Sequence, residues 1–439
     1  MRTTTPPREE AGPTGPGTDP GTGPGGDTAP GAEAATPRLG RGTLLLMSVA
    51  TGLAVAGNYF AQPLLDVIGR DLHLSTGAAA LVVTVAQTGY GLGLLLLVPL
   101  GDLIERRRLA VVLCALTAAF LTLTASAPNG ALLLAGTALT GLTSVAAQVV
   151  LPFAATLSAP AERGRTVGTV MTGLLLGILL ARTAAGLLAE LGGWRTVYWV
   201  NAALMLLMAV LLRLRLPTLR THVGLRYPAL LRSTLTLFVR EPVLRWRAAL
   251  GALTFAGFSV LWTALVFLLS GPAYGWQESA IGLMGLVGAA GSLAASTAGR
   301  LADRGLAHRV TGIAAFLLLG SWGLLAIGGA GGTWSLAALL AGVIILDLAA
   351  QAVHVSNQNL VYGVRPEARN RLNSAYMTSY FTGGAAGSAL TSMVWGLAGW
   401  GGVCALGAGL AGAVVVVWAA EWARRTRATR TPGLSGPLT

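Results

Sequence analysis

The chain has 439 residues, 54% hydrophobic and 11% charged, and its net charge of +13 rests on 30 basic residues that are all arginine. A soluble domain carries roughly 25% charged residues, so this composition describes a surface that mostly faces lipid. The absence of lysine removes P-loop, Schiff-base and kinase chemistry, so the chain is not itself a nucleotide-driven motor.

Residues 1–41 are rich in Pro, Gly and Thr without apolar periodicity, and a disordered tail is expected there. No apolar core directly follows its basic start, so it does not read as a signal peptide. Apolar runs then recur at 43–65, 78–100, 109–127, 131–157, 167–190 and 196–214. A basic, amphipathic stretch at 215–246 reads as a linker. Further runs follow at 247–270, 279–301, 310–328, 333–360, 372–394 and 402–421, with a short tail at 422–439. Each run is long enough to cross a ~30 Å hydrocarbon core. The expectation is an all-α membrane protein of twelve transmembrane helices in two six-helix halves, 42–214 and 247–421.

The loops divide by charge. After the even-numbered spans stand Arg106–Arg108, Arg163 and Arg165, the eight arginines from Arg213 to Arg247, Arg304 and Arg309, and Arg365, Arg369 and Arg371, eighteen in all. The opposite loops hold only Arg70 and Arg195. The positive-inside rule places the arginine-rich side and both termini in the cytoplasm. Arginines set between apolar runs fit such loops better than a nucleic-acid surface. Cys114 and Cys404 lie inside predicted helices as small packing residues, and the four histidines show no metal-ligand spacing. No cofactor is expected, and no nucleophile–base pair points to an enzyme.

The two halves repeat. Ala-Ala-Gln occurs at Gln148 and again 203 residues later at Gln351, each running into apolar helix and then a Pro with two arginines, Pro160 and Pro366. Gly193-Trp194 and Gly399-Trp400 keep a 206-residue offset. Internal duplication of a hydrophobic chain is how many secondary transporters are built.

Pro99-Leu-Gly-Asp102-Leu-Ile-Glu105-Arg106-Arg107-Arg108 and Gly299-Arg-Leu-Ala-Asp303-Arg304-Gly305 both resemble the G-x-L-A-D-R-x-G-R-R loop of the major facilitator superfamily. Val98 and Glu105 stand where the first loop usually has glycines. Residues 57–65, 177–186 and the Asp347–Tyr380 stretch look like bacterial drug or arabinose efflux permeases. Two features of proton-coupled exporters are missing: Thr137 stands where helix 4 often has an arginine, and Ala181-Arg182 where helix 5 often has Gly-Pro. The resemblance implies the major facilitator fold, a bacterial cytoplasmic membrane, a monomer, a small-molecule substrate and exchange for protons. It also implies that helices 1, 4, 7 and 10 line a central cavity. Asp102, Arg106, Asp303 and Arg304 are then expected to form a cytoplasmic gate, with Asp102 meeting the N-terminus of helix 11 near Leu372 and an arginine of its own loop.

Polar groups inside a lipid-facing fold are costly, so each is a candidate. Asp347, Gln351, His354 and Gln358 form one helical stripe, and Thr137, Gly141, Ser144 and Gln148 form another. Asp347 reads as the only acid well inside a span and Arg182 as the only comparably deep base. Asp347, Arg182 and His354 are the proton-coupling candidates. A carboxyl group removed from water holds a proton more readily. Arg182 has three readings: counter-ion to Asp347, ligand for an anionic substrate, or structural pin between helices 5 and 8. Asn58, Tyr59, Gln62, Gln148, Gln351, Gln358, Trp262 and Tyr376 are substrate-binding candidates, against an alternative of packing or interhelical hydrogen bonding. The glycines of helix 2 (Gly89, Gly91, Gly93), helix 5 (Gly173, Gly177) and helix 11 (Gly383, Gly384, Gly387) are expected to let interface helices slide.

Overall fold

The computed structural model describes residues 40–159, 162–218, 227–288, 297–365 and 368–430. The described residues are helical throughout, with short turns between helices and no strand among them. In chain order the helices are α1 (Arg41–Ala56), α2 (Leu65–Asp71), α3 (Thr76–Leu96), α4 (Arg106–Ala125), α5 (Gly130–Thr143), α6 (Ala146–Thr156) and α7 (Arg163–Gly192). There follow α8 (Trp194–Arg215), α9 (Tyr227–Arg240), α10 (Pro242–Ser270), α11 (Glu278–Val287), α12 (Ala307–Ile327), α13 (Thr333–Val364) and α14 (Arg369–Arg430).

Nine described helical stretches are long and apolar enough to cross a membrane, and α1 and α11 are shorter apolar helices. The difference from twelve runs has local causes. The first run is broken after Ala56 and resumes as α2. The middle of the eighth lies outside the described residues. The last two continue as α14, interrupted only at Gly399.

Gly399 has φ 54° and Gly193, at the matching point of the sequence repeat, has φ 80°. Both occupy the left-handed region that a side chain would strain. Each turns the chain so that the following tryptophan caps its neighbours: Trp194 Nε1 donates to Asp71 Oδ2 at 3.0 Å, and Trp400 Nε1 to the Leu325 carbonyl at 2.8 Å. The repeat read in the sequence is thus a repeat of backbone geometry and of capping chemistry.

Large apolar side chains stay exposed in stripes. Leu176, Leu180 and Leu187 mark α7, and Leu206, Leu207 and Val210 mark α8. A monomer in water rarely presents such patches, whereas a bilayer solvates them. Cys114 and Cys404 are buried.

The glycine faces pack differently from the sliding interface expected. Gly173 and Gly177 seat α7 on α1, where a Cβ on Gly177 would lie 2.5 Å from Gly52 Cα. Gly89 and Gly93 seat α3 on α5, and Gly383 and Gly387 seat α14 on α10. These contacts stay within one half of the sequence repeat, whereas Gly91 faces Phe381 and Gly384 faces Gln87 across the two halves. Hydrogen bonds also cross between the halves. Gln87 Nε2 donates to Ser259 Oγ at 3.0 Å, Ser374 Oγ to the Leu94 carbonyl at 2.5 Å, and Thr183 Oγ1 to the Gly282 carbonyl at 3.1 Å.

The stretch read as a linker contains α9, whose Leu230, Thr234 and Leu237 are buried. Tyr227 Oη donates to the Leu96 carbonyl at 2.7 Å, and Arg365 pairs with Glu241 at 2.7 Å beside it.

Gly177→Leu should force α1 and α7 apart. Overpacking of this kind costs about 1–3 kcal/mol, and a clear fall in the thermal midpoint of the detergent-purified protein is the expected result. At the other end of the bundle, the Arg195 guanidinium and then the Trp194 indole hold the Asp71 carboxyl below its ordinary pKa. A depressed acid stabilises the fold above its unfolded pKa and loses that contribution as pH falls through the folded value. The thermal midpoints of wild type and Asp71→Asn should therefore differ at neutral pH and converge below about pH 4.

Candidate functional site

The break after α1 creates the site. Gly57 follows the last helical residue, and Pro63 has no N–H to continue an α-helical ladder. The chain instead crosses 57–61 in tight turns, with Asn58 N donating to the Val55 carbonyl and Tyr59 N to the Ala56 carbonyl, and enters a 3-10 turn at Gln62–Leu64. This places Asn58, Tyr59 and Gln62 in the interior, 5%, 8% and 2% exposed.

A cavity of about 440 Å³ lies beside the break. Asn58, Tyr59, Gln148, Arg182, Asp347, Gln351, His354 and Gln358 all line it. Both repeated glutamines, Gln148 and Gln351, face this one space. Gln62, Trp262 and Tyr376 stand behind the wall.

Arg182, on α7 and 3% exposed, is wrapped rather than paired. Its Nε donates to Gln62 Oε1 at 2.7 Å. Its guanidinium carbon lies 3.8 Å from the Trp262 ring centre, 5.1 Å from that of Tyr59 and 5.9 Å from that of Phe258. The Nη2 atom has no hydrogen-bond partner among the described residues. Desolvated cation–π contacts are worth about 2 kcal/mol or more, which offsets much of the cost of holding this charge away from water.

Asp347, on α13 and 6% exposed, accepts a hydrogen bond from Trp262 Nε1 at 3.2 Å. No direct Arg182–Asp347 ion pair occurs among the described residues. The two charges meet on opposite parts of one indole, face and N–H. The carboxyl needs glycine opposite it, because a Cβ on Gly288 would collide with Asp347 Oδ2 and lie 3.0 Å from Trp262 Cζ2. Arg182 also sits where α7 meets α11, with its backbone carbonyl against Gly282.

Further along, His354 Nδ1 lies 3.1 Å from Tyr376 Oη, and the His354 ring is 4.6 Å from that of Tyr380. Tyr380 stacks on Phe255 at 4.1 Å and 17°. Phe255 and Phe258, which with Trp262 form an aromatic stripe at i, i+3 and i+7 along α10, line the cavity. Gln148 Nε2 reaches Tyr90 Oη at 3.5 Å.

A second cavity of about 380 Å³ continues toward the arginine-rich loops and shares Gln148, Tyr362 and Asn373 with the first. Asp102, Arg106, Arg371 and Ser374 line it. Asp102 pairs with Arg106 of its own loop at 3.4 Å. Arg106 also donates to Thr156 Oγ1 at 2.9 Å and to the Pro152 carbonyl at 3.4 Å, tying the loop to α6. Arg304 is exposed on a turn made by Gly305 at φ 79°, and the Asp303 side chain lies outside the described residues.

Asp347 and Arg182 are not the only deeply buried charges. Arg247 is 0% exposed and Glu421 3%, and they form an ion pair. Arg247 also meets a ring nitrogen of His308 at 2.9 Å, Asn357 Oδ1 at 3.3 Å and Thr311 Oγ1 at 3.4 Å. Arg425 reaches the other Glu421 oxygen at 3.1 Å. The sequence reading missed this cluster because both residues stood at the edges of their apolar runs. The helices run past those edges, α10 from Pro242 and α14 to Arg430, and bring both charges inside.

Residues 47–388 match the family model described as the Major Facilitator Superfamily. The chain belongs to the Major Facilitator Superfamily. Within it, the chain is 52% identical to YgaY, an uncharacterized transporter of Escherichia coli, over 375 residues, covering 85% of this chain and 94% of that one. It is 36% identical to a protein of Streptomyces coelicolor named as a transporter, over 88% of each chain. Its fold is that of solved superfamily members. A peptide-bound POT family transporter overlays with TM-score 0.70 at 13% identity, covering 89% of this chain and 98% of that one. The nucleoside transporter NupG overlays with TM-score 0.69 at 14% identity, covering 86% and 99%. The chain is therefore an all-α, multi-pass membrane transporter of this superfamily.

Glu421→Gln would leave Arg247 buried without its counter-charge. Removing one partner of a buried pair costs about 3–5 kcal/mol, so a large fall in thermal midpoint is expected. The double variant Glu421→Gln with Arg247→Met should recover much of it.

Proposed function

We propose that this transporter works by alternating access, with its two repeat halves moving about the cavity, and that it exports a small molecule from the cytoplasm in exchange for protons. The observation that carries this reading is the Arg182–Trp262–Asp347 arrangement. It joins α7 of the first half to α10 and α13 of the second through two contacts on one indole. Among the described residues Asp347 is the only acid lining the cavity, with one neutral donor and a cationic neighbour, so it is the group whose proton would be exchanged. Loss or gain of that proton changes the charge facing Arg182 and so biases how firmly the halves hold together. Inward movement of one proton down a 100 mV potential supplies about 2.3 kcal/mol. The second cavity, reaching the arginine-rich loops, supports loading from the cytoplasmic side under the positive-inside orientation. Asp102 and Arg106 would belong to the gate on that side. A monomer in the cytoplasmic membrane, with both termini inside, is the working unit in this reading.

A second reading, uptake with a proton, is favoured by the unpartnered Nη2 of Arg182. An anion bound there would take Arg182 away from Asp347 and favour a proton on the carboxyl, so the two would travel together.

Reconstituted vesicles separate the readings. A panel of lipophilic drugs and sugars is offered while pH is followed on both sides. Under export, substrate movement drives protons the opposite way, and Asp347→Asn abolishes that counterflow while leaving substrate exchange. Proton movement in the same direction as substrate would replace export with symport. A variant that still couples as wild type does would remove Asp347 from the mechanism.

A further inference from the structure

Three polar side chains beside the α1 break carry hydrogen-bonding atoms with no partner among the described residues. They are Arg182 at Nη2, Gln62 at Nε2 and Asn58 at both amide atoms. All are at least nine-tenths buried, and Arg182 and Asn58 line the cavity. Buried polar groups are rarely left so, and each such exception calls for an explanation. Here all three residues present unpaired N–H donors, and one carries a positive charge.

Arg182 is held at its Nε by Gln62 and on one face by Trp262, and its buried Nη2 has no hydrogen-bond partner among the described residues. Its nearest acidic neighbour does not fill that place, because Asp347 Oδ1 is turned to the indole N–H. A planar acid group is the ligand that an arginine fork matches. The remainder of the cavity has a different chemistry. Tyr380 stacks on Phe255 at 4.1 Å, Tyr90 and Phe381 approach at 4.4 Å, and all four line the same space. At about 440 Å³ the cavity falls within the roughly 300–1,000 Å³ of small-molecule sites.

We propose that the cavity takes an aromatic organic anion. Its carboxylate accepts hydrogen bonds from Arg182 Nη2 and Asn58 Nδ2, and its flat body lies along Phe255, Tyr380 and Phe381. This rests on the reading of the cavity as the transport site and holds for export and uptake alike. A cationic ligand would instead have to sit beside the Arg182 charge and compete with Trp262 for Asp347.

The test uses full-length protein in detergent and three matched probes: 2-naphthoate, neutral 2-naphthylmethanol and cationic 2-naphthylmethylammonium. Binding is read by calorimetry. Naphthoate should bind tightest to wild type. Arg182→Gln should weaken it by about tenfold to a hundredfold, the range for a lost hydrogen bond to a charged group, and leave naphthylmethanol little changed. Asn58→Ala should weaken naphthoate by less, and Arg182→Lys should fall between wild type and Arg182→Gln. The wild-type ranking of the three probes decides the matter even if Arg182→Gln fails to fold. Absence of naphthoate binding, a preference for the ammonium probe, or undiminished naphthoate binding in a folded Arg182→Gln would each overturn the proposal. Binding is measured without flux. Naphthoate binding with no movement in vesicles would therefore count against the transport reading alone, and movement of other compounds without naphthoate binding against this one alone.

Discussion

A guanidinium inside an apolar helical bundle needs electron density, hydrogen-bond acceptors or water around it, and much of the cavity is built to meet that need at Arg182. A charge near the bilayer centre costs at least about 2.5–3.5 kcal/mol when nothing compensates it. Three aromatic rings and one amide oxygen supply the compensation. Two of these groups, Tyr59 and Gln62, are brought inward only because the first helix breaks. Trp262 arrives from α10, and its N–H in turn fixes Asp347 on α13. The break, two rings of the aromatic stripe and the intramembrane acid are thus parts of one arrangement around the arginine.

Much of the architecture was legible in the chain because lipid imposes a coarse pattern. Long apolar runs, arginine-rich loops and a duplicated Ala-Ala-Gln segment needed only composition and spacing to be seen. The duplicated Gly-Trp pair was legible as a repeat, and its positive backbone angles explain why glycine stands at both places. The break in the first helix was less so. Proline stands at 63, near the end of the run, whereas the helix ends seven residues earlier, after Ala56. The only local sign is the Gly57-Asn58 pair, since Phe60 and Ala61 carry the apolar run onward.

The site was legible as residue types and not as contacts. Asp347 and Arg182 stood out because charge inside a span is rare, yet the indole between them could not be read from spacing across three helices. The Arg247–Glu421 pair was missed for a related reason: hydropathy marks where a chain becomes apolar, not where its helix begins. Glycine spacing was a partial guide. It signals close packing correctly but says nothing of which neighbour is packed: most of these glycines meet their own half, whereas Gly91 meets Phe381 and Gly384 meets Gln87 of the other.

Both cysteines are shut inside the protein, and there is no lysine anywhere in the chain. The native molecule is therefore close to silent toward thiol and amine reagents, apart from its amino terminus. A single cysteine introduced on an exposed loop would be the one accessible thiol. Pairs of such positions, one in each half, could carry spin or fluorescent labels with little background, so the distance between the halves could be followed in an otherwise unaltered protein.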